Sequence, residues 1–223
     1  MNNFNDFETF LNSVDSDLKK IFDYQSEYLC CKEGCSLCCE RGDFPISELE
    51  FNYLMQDYEK LDDATKKQIK ENIENIKKSG NLDSYTCPFL INKKCTLYEK
   101  RPFVCRAFGV LTEDANGNPS YPFCTTQGLN FSQIYDKEKQ RLSSDLVHQK
   151  NFKIFPKVFR LSNRNIMNLP LAKELNLNFG KLGRLIDFLW FFIFKPFFKS
   201  RKEYNCIILF TFFNSKNFIE KEK

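Results

Sequence analysis

The sequence predicts a mainly α fold in which irregular cysteine-rich loops and a small β-hairpin, or knuckle, surround a metal centre. Three observations support this prediction. Apolar residues recur at helical spacing in several segments, ten cysteines occur among 223 residues, and eight of these cysteines fall into two groups. The chain shows no internal repeat and no alternation of strand and helix patterns that would build a parallel sheet.

The first helix is predicted over residues 4–29. Apolar and aromatic side chains recur there at steps of three and four, from Phe4 to Phe22, which is the spacing of one face of an amphipathic helix. The next segment, residues 30–43, contains five cysteines and no periodicity. We therefore expect it to be an irregular loop around a metal.

Two further helices are predicted before the second group of cysteines. Ser47 and Glu50 have the spacing of a capping box, so a helix is expected to begin near residue 48. Another helix is expected over residues 63–78, where Gly80 is placed to end it.

The second half of the chain carries shorter elements. Residues 87–98 contain β-prone stretches on either side of a polar turn, which predicts a hairpin with one cysteine on each arm. Pro102 suits the first turn of a short helix that would direct Cys105 toward this hairpin. A turn is expected at residues 116–119, followed by a charged helix over residues 131–149.

Cysteine usage depends on the compartment. The first residues show neither the basic nor the apolar region of a secretory signal, so we expect a cytoplasmic protein. In a reducing compartment, closely spaced cysteines are typical of metal or redox sites rather than of disulfides.

Cysteine spacing also predicts the metal ligands. Thiolate sites bring several deprotonated sulfur atoms to one ion, and the ligands come in short-spaced pairs such as Cys35-Ser-Leu-Cys38. The expected metal ligands are Cys31, Cys35, Cys38, Cys39, Cys87, Cys95, Cys105 and Cys124. Eight thiols suffice for two four-coordinate sites or for one cluster with spare ligands, and both arrangements stay open.

The sequence around each remaining cysteine, and around the histidine, indicates whether it is a metal ligand. Cys38 and Cys39 are adjacent, and neighbouring side chains of an extended stretch point to opposite sides, so we expect them to serve different metals or one metal and one supporting role. Cys30 and Cys206 are not expected to be ligands. His148, the one histidine, is expected at the surface of a charged helix.

The order of these cysteine motifs resembles the order found in a known protein family. The run Cys31-Lys-Glu-Gly-Cys35-Ser-Leu-Cys38-Cys39, followed by Cys87-Pro-Phe-Leu, Cys95-Thr-Leu-Tyr and Cys105-Arg106, resembles the YkgJ-type cysteine-cluster family, the CxxCxxCC proteins. The resemblance covers about residues 25–127. It implies that the matched cysteines chelate zinc or iron, including iron in a [4Fe–4S] cluster, and it implies no settled reaction. Catalytic residues are unknown.

Two arginines beside the cysteines are candidate cofactor-binding residues. Arg101 and Arg106 flank Cys105, and their charge would offset the formal −2 of a tetrathiolate zinc site. The alternative is that both arginines form surface ion pairs.

An enzymatic role stays open. Some relatives of the family are associated with lysine N-methylation of flagellin, which makes an S-adenosylmethionine-dependent protein lysine N-methyltransferase one alternative and another Fe–S oxidoreductase a second. The spacing of Cys31, Cys35 and Cys38 also matches radical S-adenosylmethionine enzymes, whose fold requires successive β/α units. No Ser-His-Asp arrangement or phosphate loop indicates a hydrolase or a kinase.

Charge and hydropathy divide the chain. Residues 181–223 hold nine Lys/Arg and four Asp/Glu of a chain with net charge +4, so residues 1–180 are nearly neutral and nucleic-acid binding is not expected.

We interpret residues 1–180 as a cysteine-cluster domain with an N-terminal helix. The basic, Phe-rich tail contains an apolar block, residues 185–198, that is too short to span a membrane. Weak contact of residues 181–202 with the inner membrane face is one interpretation, and packing on the body is the other. No protein partner is indicated.

Overall fold

The computed structural model describes residues 4–32, 34–114 and 117–194. The helices in these ranges are α1 (Phe4–Tyr24), α2 (Leu37–Glu40), α3 (Glu48–Tyr58), α4 (Asp63–Ser79), α5 (Phe103–Arg106), α6 (Ser144–Gln149), α7 (Asn163–Met167), α8 (Pro170–Glu174) and α9 (Leu185–Phe194). The strands are β1 (Pro45–Ser47), β2 (Leu90–Ile91), β3 (Lys94–Cys95), β4 (Thr112–Glu113), β5 (Pro119–Ser120), β6 (Tyr135–Asp136), β7 (Arg141–Leu142) and β8 (Leu182–Arg184).

The strands form two-stranded antiparallel pairs. Strand β1 pairs with β8, and the other pairs are the local hairpins β2–β3, β4–β5 and β6–β7. The prediction of a mainly α protein with small hairpins is confirmed.

The contacts of the chain define two compact units. Unit 1 contains the described residues up to Cys38 and the segment Phe103–Asn178. Unit 2 contains Cys39–Pro102 and continues from Phe179 to the end of the described chain. The expected division between residues 1–180 and 181–223 stays a prediction.

In unit 1, α1 buries the apolar face that its spacing predicts. Phe7, Phe10, Leu11, Val14 and Leu18 are all less than 5% exposed. The α5 residue Phe103 meets two of these aromatic rings edge-on, with ring centroids at 6.1 and 5.8 Å. This cluster holds α1 on the short helix that carries Cys105.

Gln25 holds the chain where α1 ends. Its side chain is fully buried, accepts a hydrogen bond from Leu111 N–H at 2.9 Å and donates to Lys157 O at 2.8 Å. A 3-10 turn, Ser26–Tyr28, follows, so the α-helix ends before the expected residue 29. Buried amides need partners, and Gln25 therefore determines where three segments of unit 1 meet.

A second cluster of buried residues includes the last residue of this turn. It contains Tyr28, Leu111, Phe131, Ile134 and Val147. The rings of Tyr28 and Phe131 stack with centroids 5.8 Å apart, and Phe131 N–H donates to Tyr28 O at 2.8 Å. The cluster thus places the chain at residue 131 beside the start of the first cysteine group.

The prediction of a charged helix over residues 131–149 is wrong for most of its length, because only α6 is helical there. A 3-10 turn and the β6–β7 hairpin occupy the rest. Asp136 Oδ1 accepts hydrogen bonds from the backbone N–H groups of Glu138 and Lys139, both at 3.0 Å, and this local bonding competes with a helix. Gln140 adopts φ 50°, which a right-handed helix excludes.

In unit 2, the helix ends follow the predicted signals. Ser47 and Glu50 form the expected capping box at the start of α3. Asp62 caps α4, and Gly80 ends it in a left-handed conformation with φ 69°. Local sequence therefore determines both helix boundaries.

The described part of the apolar block belongs to α9. Leu185, Ile186, Leu189 and Ile193 are buried in unit 2. None of the helices in the described ranges has the length and apolarity that crossing a bilayer requires. The rest of the block and the remaining tail lie outside the described residues, and membrane contact of residues 181–202 stays a prediction.

A partly buried carboxyl group precedes β1. Burial raises the pKa of Asp43 to about 6, although the charge of Arg184 and the backbone N–H of Phe44 act in the opposite direction. Asp187 and Asp83 add to the rise. Ionised Asp43 therefore opposes folding.

We expect Asp43→Asn to raise the midpoint of thermal unfolding near neutral pH and to have less effect in acid. The folded-state pKa of about 6 lies above the ordinary value of 3.8, so the free energy of unfolding falls as pH rises between them. Thermal unfolding of both proteins at about pH 4 and about pH 7.5 measures the difference. An equal gain at both pH values would contradict this account.

Candidate metal centre

The first group of cysteines includes a helical turn. Cys38 and Cys39 lie on α2, so the irregular loop expected over residues 30–43 is only partly correct. Adjacent residues of a helix point about 100° apart, which separates the two side chains although the backbone is not extended. Cys38 belongs to unit 1 and Cys39 to unit 2.

Several thiols interact electrostatically within unit 1. Cys31 interacts with Cys35, Cys38 and its neighbour Cys30, and Cys124 interacts with Cys31 and Cys35. Cys31 and Cys35 are exposed, Cys38 is half-buried and Cys124 is buried. We call these four cysteines the unit 1 thiol group. It joins two segments that are far apart in the chain.

Asn130 contacts both segments, although the sequence did not predict it as a site residue. Its side-chain Nδ2 donates to Cys31 Sγ at 3.1 Å and to Gly109 O at 2.8 Å. Its Oδ1 accepts from Cys30 N–H at 2.7 Å, and its backbone N–H acts to lower the pKa of the Cys124 thiol. The residue is 1% exposed. Loop asparagines are common at turns, so no sequence pattern marks this one.

Gly109 lets the backbone approach the sulfur of Cys31. It has φ 107°, a conformation that disfavours other residues. A Cβ atom at this position would lie 3.0 Å from Cys31 Sγ and 3.1 Å from Asn130 Nδ2. A larger residue would therefore displace the thiol or the amide.

Two thiols of this group, Cys31 and Cys124, are hard to ionise by themselves. Partial burial raises the pKa of Cys31, the Asn130 side chain opposes this effect, and Cys35 adds to it. Burial also raises the pKa of Cys124 to about 11, with Cys31 as the next cause and the Asn130 backbone opposing both. At neutral pH the two thiols therefore hold their protons until a cation displaces them.

Unit 2 contains three of the other candidate ligands. Cys87 N–H donates to Cys39 O at 2.6 Å, which brings the two backbones together. Cys87 O accepts from Leu90 N–H at 3.0 Å, and Leu90 pairs with Cys95 in the β2–β3 hairpin. The predicted hairpin is confirmed, with Cys95 on one arm and Cys87 just before the other.

The remaining candidates have these positions. Cys105 is half-buried on α5 in unit 1. Arg106 Nη1 lies 2.6 Å from Asp15 Oδ2, and its side chain is 9% exposed. The guanidinium of Arg101 lies 3.4 Å above the centre of the Tyr98 ring. Offsetting of thiolate charge by Arg101 and Arg106 stays a prediction.

The donor chemistry fits a thiophilic cation. The nine cysteines in the described part of the chain are thiols without disulfide bonds. No three Cys, His, Asp or Glu side chains of the described residues converge as ligands of one ion. The unit 1 thiol group nevertheless combines four soft donors with N–H groups that favour thiolates, as zinc and iron sites require. His148 is exposed, as expected.

Comparison with known proteins gives one match. Residues 30–125 match the CxxCxxCC family model, which is described as "Putative zinc- or iron-chelating domain". The match covers a little under half of the chain and contains all eight candidate ligands, whereas Asn130 lies beyond it. The matched model is that of the family that the cysteine motifs resemble. No curated protein and no solved structure shows significant similarity to the chain.

We expect Gly109→Ala to weaken metal binding and to lower the free energy of unfolding by about 1–3 kcal/mol, because it adds backbone strain and crowds Cys31. Gly128→Ala is the matched control. Gly128 also has a positive φ, but a Cβ there would meet nothing within 4 Å. Chelator competition measures affinity, and denaturant unfolding measures stability. Equal metal affinities of the two variants would contradict a role of Gly109 at the site.

Metal binding should depend strongly on pH. Because the pKa values of Cys31 and Cys124 are raised, a bound cation must displace protons, and affinity should increase as pH rises through neutrality. Calorimetric titration with Zn²⁺ in buffers of different ionisation enthalpy counts the protons released. Binding without proton release would show that these thiols are not ligands.

Proposed function

We propose that the protein binds zinc or iron through cysteine thiolates, because residues 30–125 match the CxxCxxCC family model. The unit 1 thiol group supplies one set of ligands, namely Cys31, Cys35, Cys38 and Cys124. The observation that carries this proposal is that thiols from two distant segments interact electrostatically, and that the Asn130 amide donates to one of them, Cys31 Sγ, at 3.1 Å.

The exposure of these thiols indicates how an ion enters. Cys31 and Cys35 are exposed, so solvent reaches the group without opening of unit 1. Cys124 is buried and anchors the inner side. A bound cation supplies the positive charge that keeps the thiols ionised. The chain itself orients the sulfur atom of Cys31 through Asn130 and leaves space beside it at Gly109.

The other matched cysteines extend the proposal. Cys39, Cys87 and Cys95 lie in unit 2, where backbone hydrogen bonds link the three segments that carry them. We assign these three cysteines to further ligation within unit 2, and Cys105 to further ligation within unit 1. Cysteines without disulfides suit a reducing compartment such as the cytoplasm.

No specific observation favours an enzymatic function. The named strand pairs of the described residues are two-stranded and antiparallel, whereas a radical S-adenosylmethionine fold requires successive β/α units. Metal chelation is therefore the function that the arrangement supports best.

We expect Cys31→Ser and Cys124→Ser to lose most of the bound metal, because each removes a thiolate from the group. Cys30→Ser is the matched control, since Cys30 adjoins the site and is not a proposed ligand. Protein purified without oxygen is analysed for zinc, iron and sulfide, and visible absorption distinguishes an iron–sulfur cluster from zinc.

Chelator treatment adds a measure of stability. Removal of the metal should lower the unfolding midpoint of the wild type and of Cys30→Ser more than that of the two ligand variants. The proposal fails if reduced wild-type protein, offered Zn²⁺ or Fe²⁺, binds neither, or if Cys31→Ser and Cys124→Ser retain as much metal as Cys30→Ser.

A further inference from the structure

Backbone hydrogen bonds fix the residues before and after Asn130. On one side, Leu129 N–H donates to Cys124 O at 3.1 Å. On the other side, Phe131 N–H donates to Tyr28 O at 2.8 Å, and the two rings stack. These bonds place Asn130 between the segment that ends at Cys31 and the segment that contains Cys124.

The backbone also determines which way the Asn130 amide faces. Cys30 N–H can only donate, so the atom beside it must be Oδ1. Gly109 O can only accept, so the atom beside it must be Nδ2. The remaining hydrogen of Nδ2 therefore points to Cys31 Sγ.

From this geometry we infer that Asn130 is a positioning residue of the metal centre, which holds the sulfur atom of Cys31 in place for coordination. The inference rests on the proposed function and adds a residue outside the CxxCxxCC match. An N–H donor to a coordinating sulfur orients it and spreads its negative charge, and such supporting contacts contribute substantially to metal affinity.

Asn130→Asp tests the amide donor. The variant has nearly the same shape and keeps an acceptor for Cys30 N–H, but it presents oxygen instead of N–H to Cys31 Sγ and Gly109 O. Gln25→Glu is the matched control, because Gln25 is also buried in unit 1 and bonds backbone groups. Both variants should lower the unfolding midpoint.

Only Asn130→Asp should change the metal site. We expect its affinity for Zn²⁺ and Co²⁺ to fall by about 10- to 100-fold in chelator competition. We also expect its thiolate-to-cobalt absorption bands to shift, whereas Gln25→Glu should keep the wild-type spectrum. If Asn130→Asp keeps the wild-type affinity and spectrum, or if Gln25→Glu changes both equally, the inference is overturned.

Two additions keep the test decisive. If Asn130→Asp does not fold, Asn130→Ala removes the donor without introducing a charge, and wild-type affinity in that variant overturns the inference.

If the wild type binds neither ion, the proposed function fails. The contact itself is then tested in the metal-free protein by the rate at which iodoacetamide modifies Cys31. Asn130→Asp should slow this reaction relative to the wild type and Gln25→Glu, and an unchanged rate would show that the amide does not act on this sulfur.

Discussion

Burial of thiols is the constraint on which the cysteines of unit 1 depend. Burial raises the pKa of Cys31 and of Cys124, and the charges of neighbouring thiols act in the same direction. The side-chain N–H of Asn130 opposes this rise at Cys31, and its backbone N–H opposes it at Cys124. In the proposed metal site, a bound cation would offset the remaining cost of ionisation, so ligand geometry and metal binding would be coupled.

The rest of unit 1 can be understood as support for this contact. Helix α1 buries its apolar face and ends just before Gln25. The side-chain amide of Gln25 then forms hydrogen bonds that hold the chain near Leu111. Tyr28 and Phe131 then stack, which brings Asn130 to Cys31. The apolar core therefore does more than stabilise the unit, because it places a polar donor where two cysteine segments meet.

Unit 2 relies on different interactions. Its helices begin and end at local signals, the capping box of Ser47 and Glu50 and the left-handed Gly80. Helix α9 completes its core, and Lys77 and Arg184 both pair with Asp187 at the start of that helix, at 2.7 and 2.9 Å. Cys87 approaches Cys39 through backbone hydrogen bonding. The two units thus hold their cysteines in different ways.

The sequence by itself determined the mainly α class, the capped helices, the hairpin before Cys95 and the cysteine family. Each follows from residues that are close in the chain, where spacing and capping act locally. Only the tertiary structure decided that Asn130 bonds to Cys31, and that residues 131–149 form a turn and a hairpin before a short helix. Those outcomes depend on contacts between distant segments and on the competing bonds of Asp136, and spacing carries no information about either.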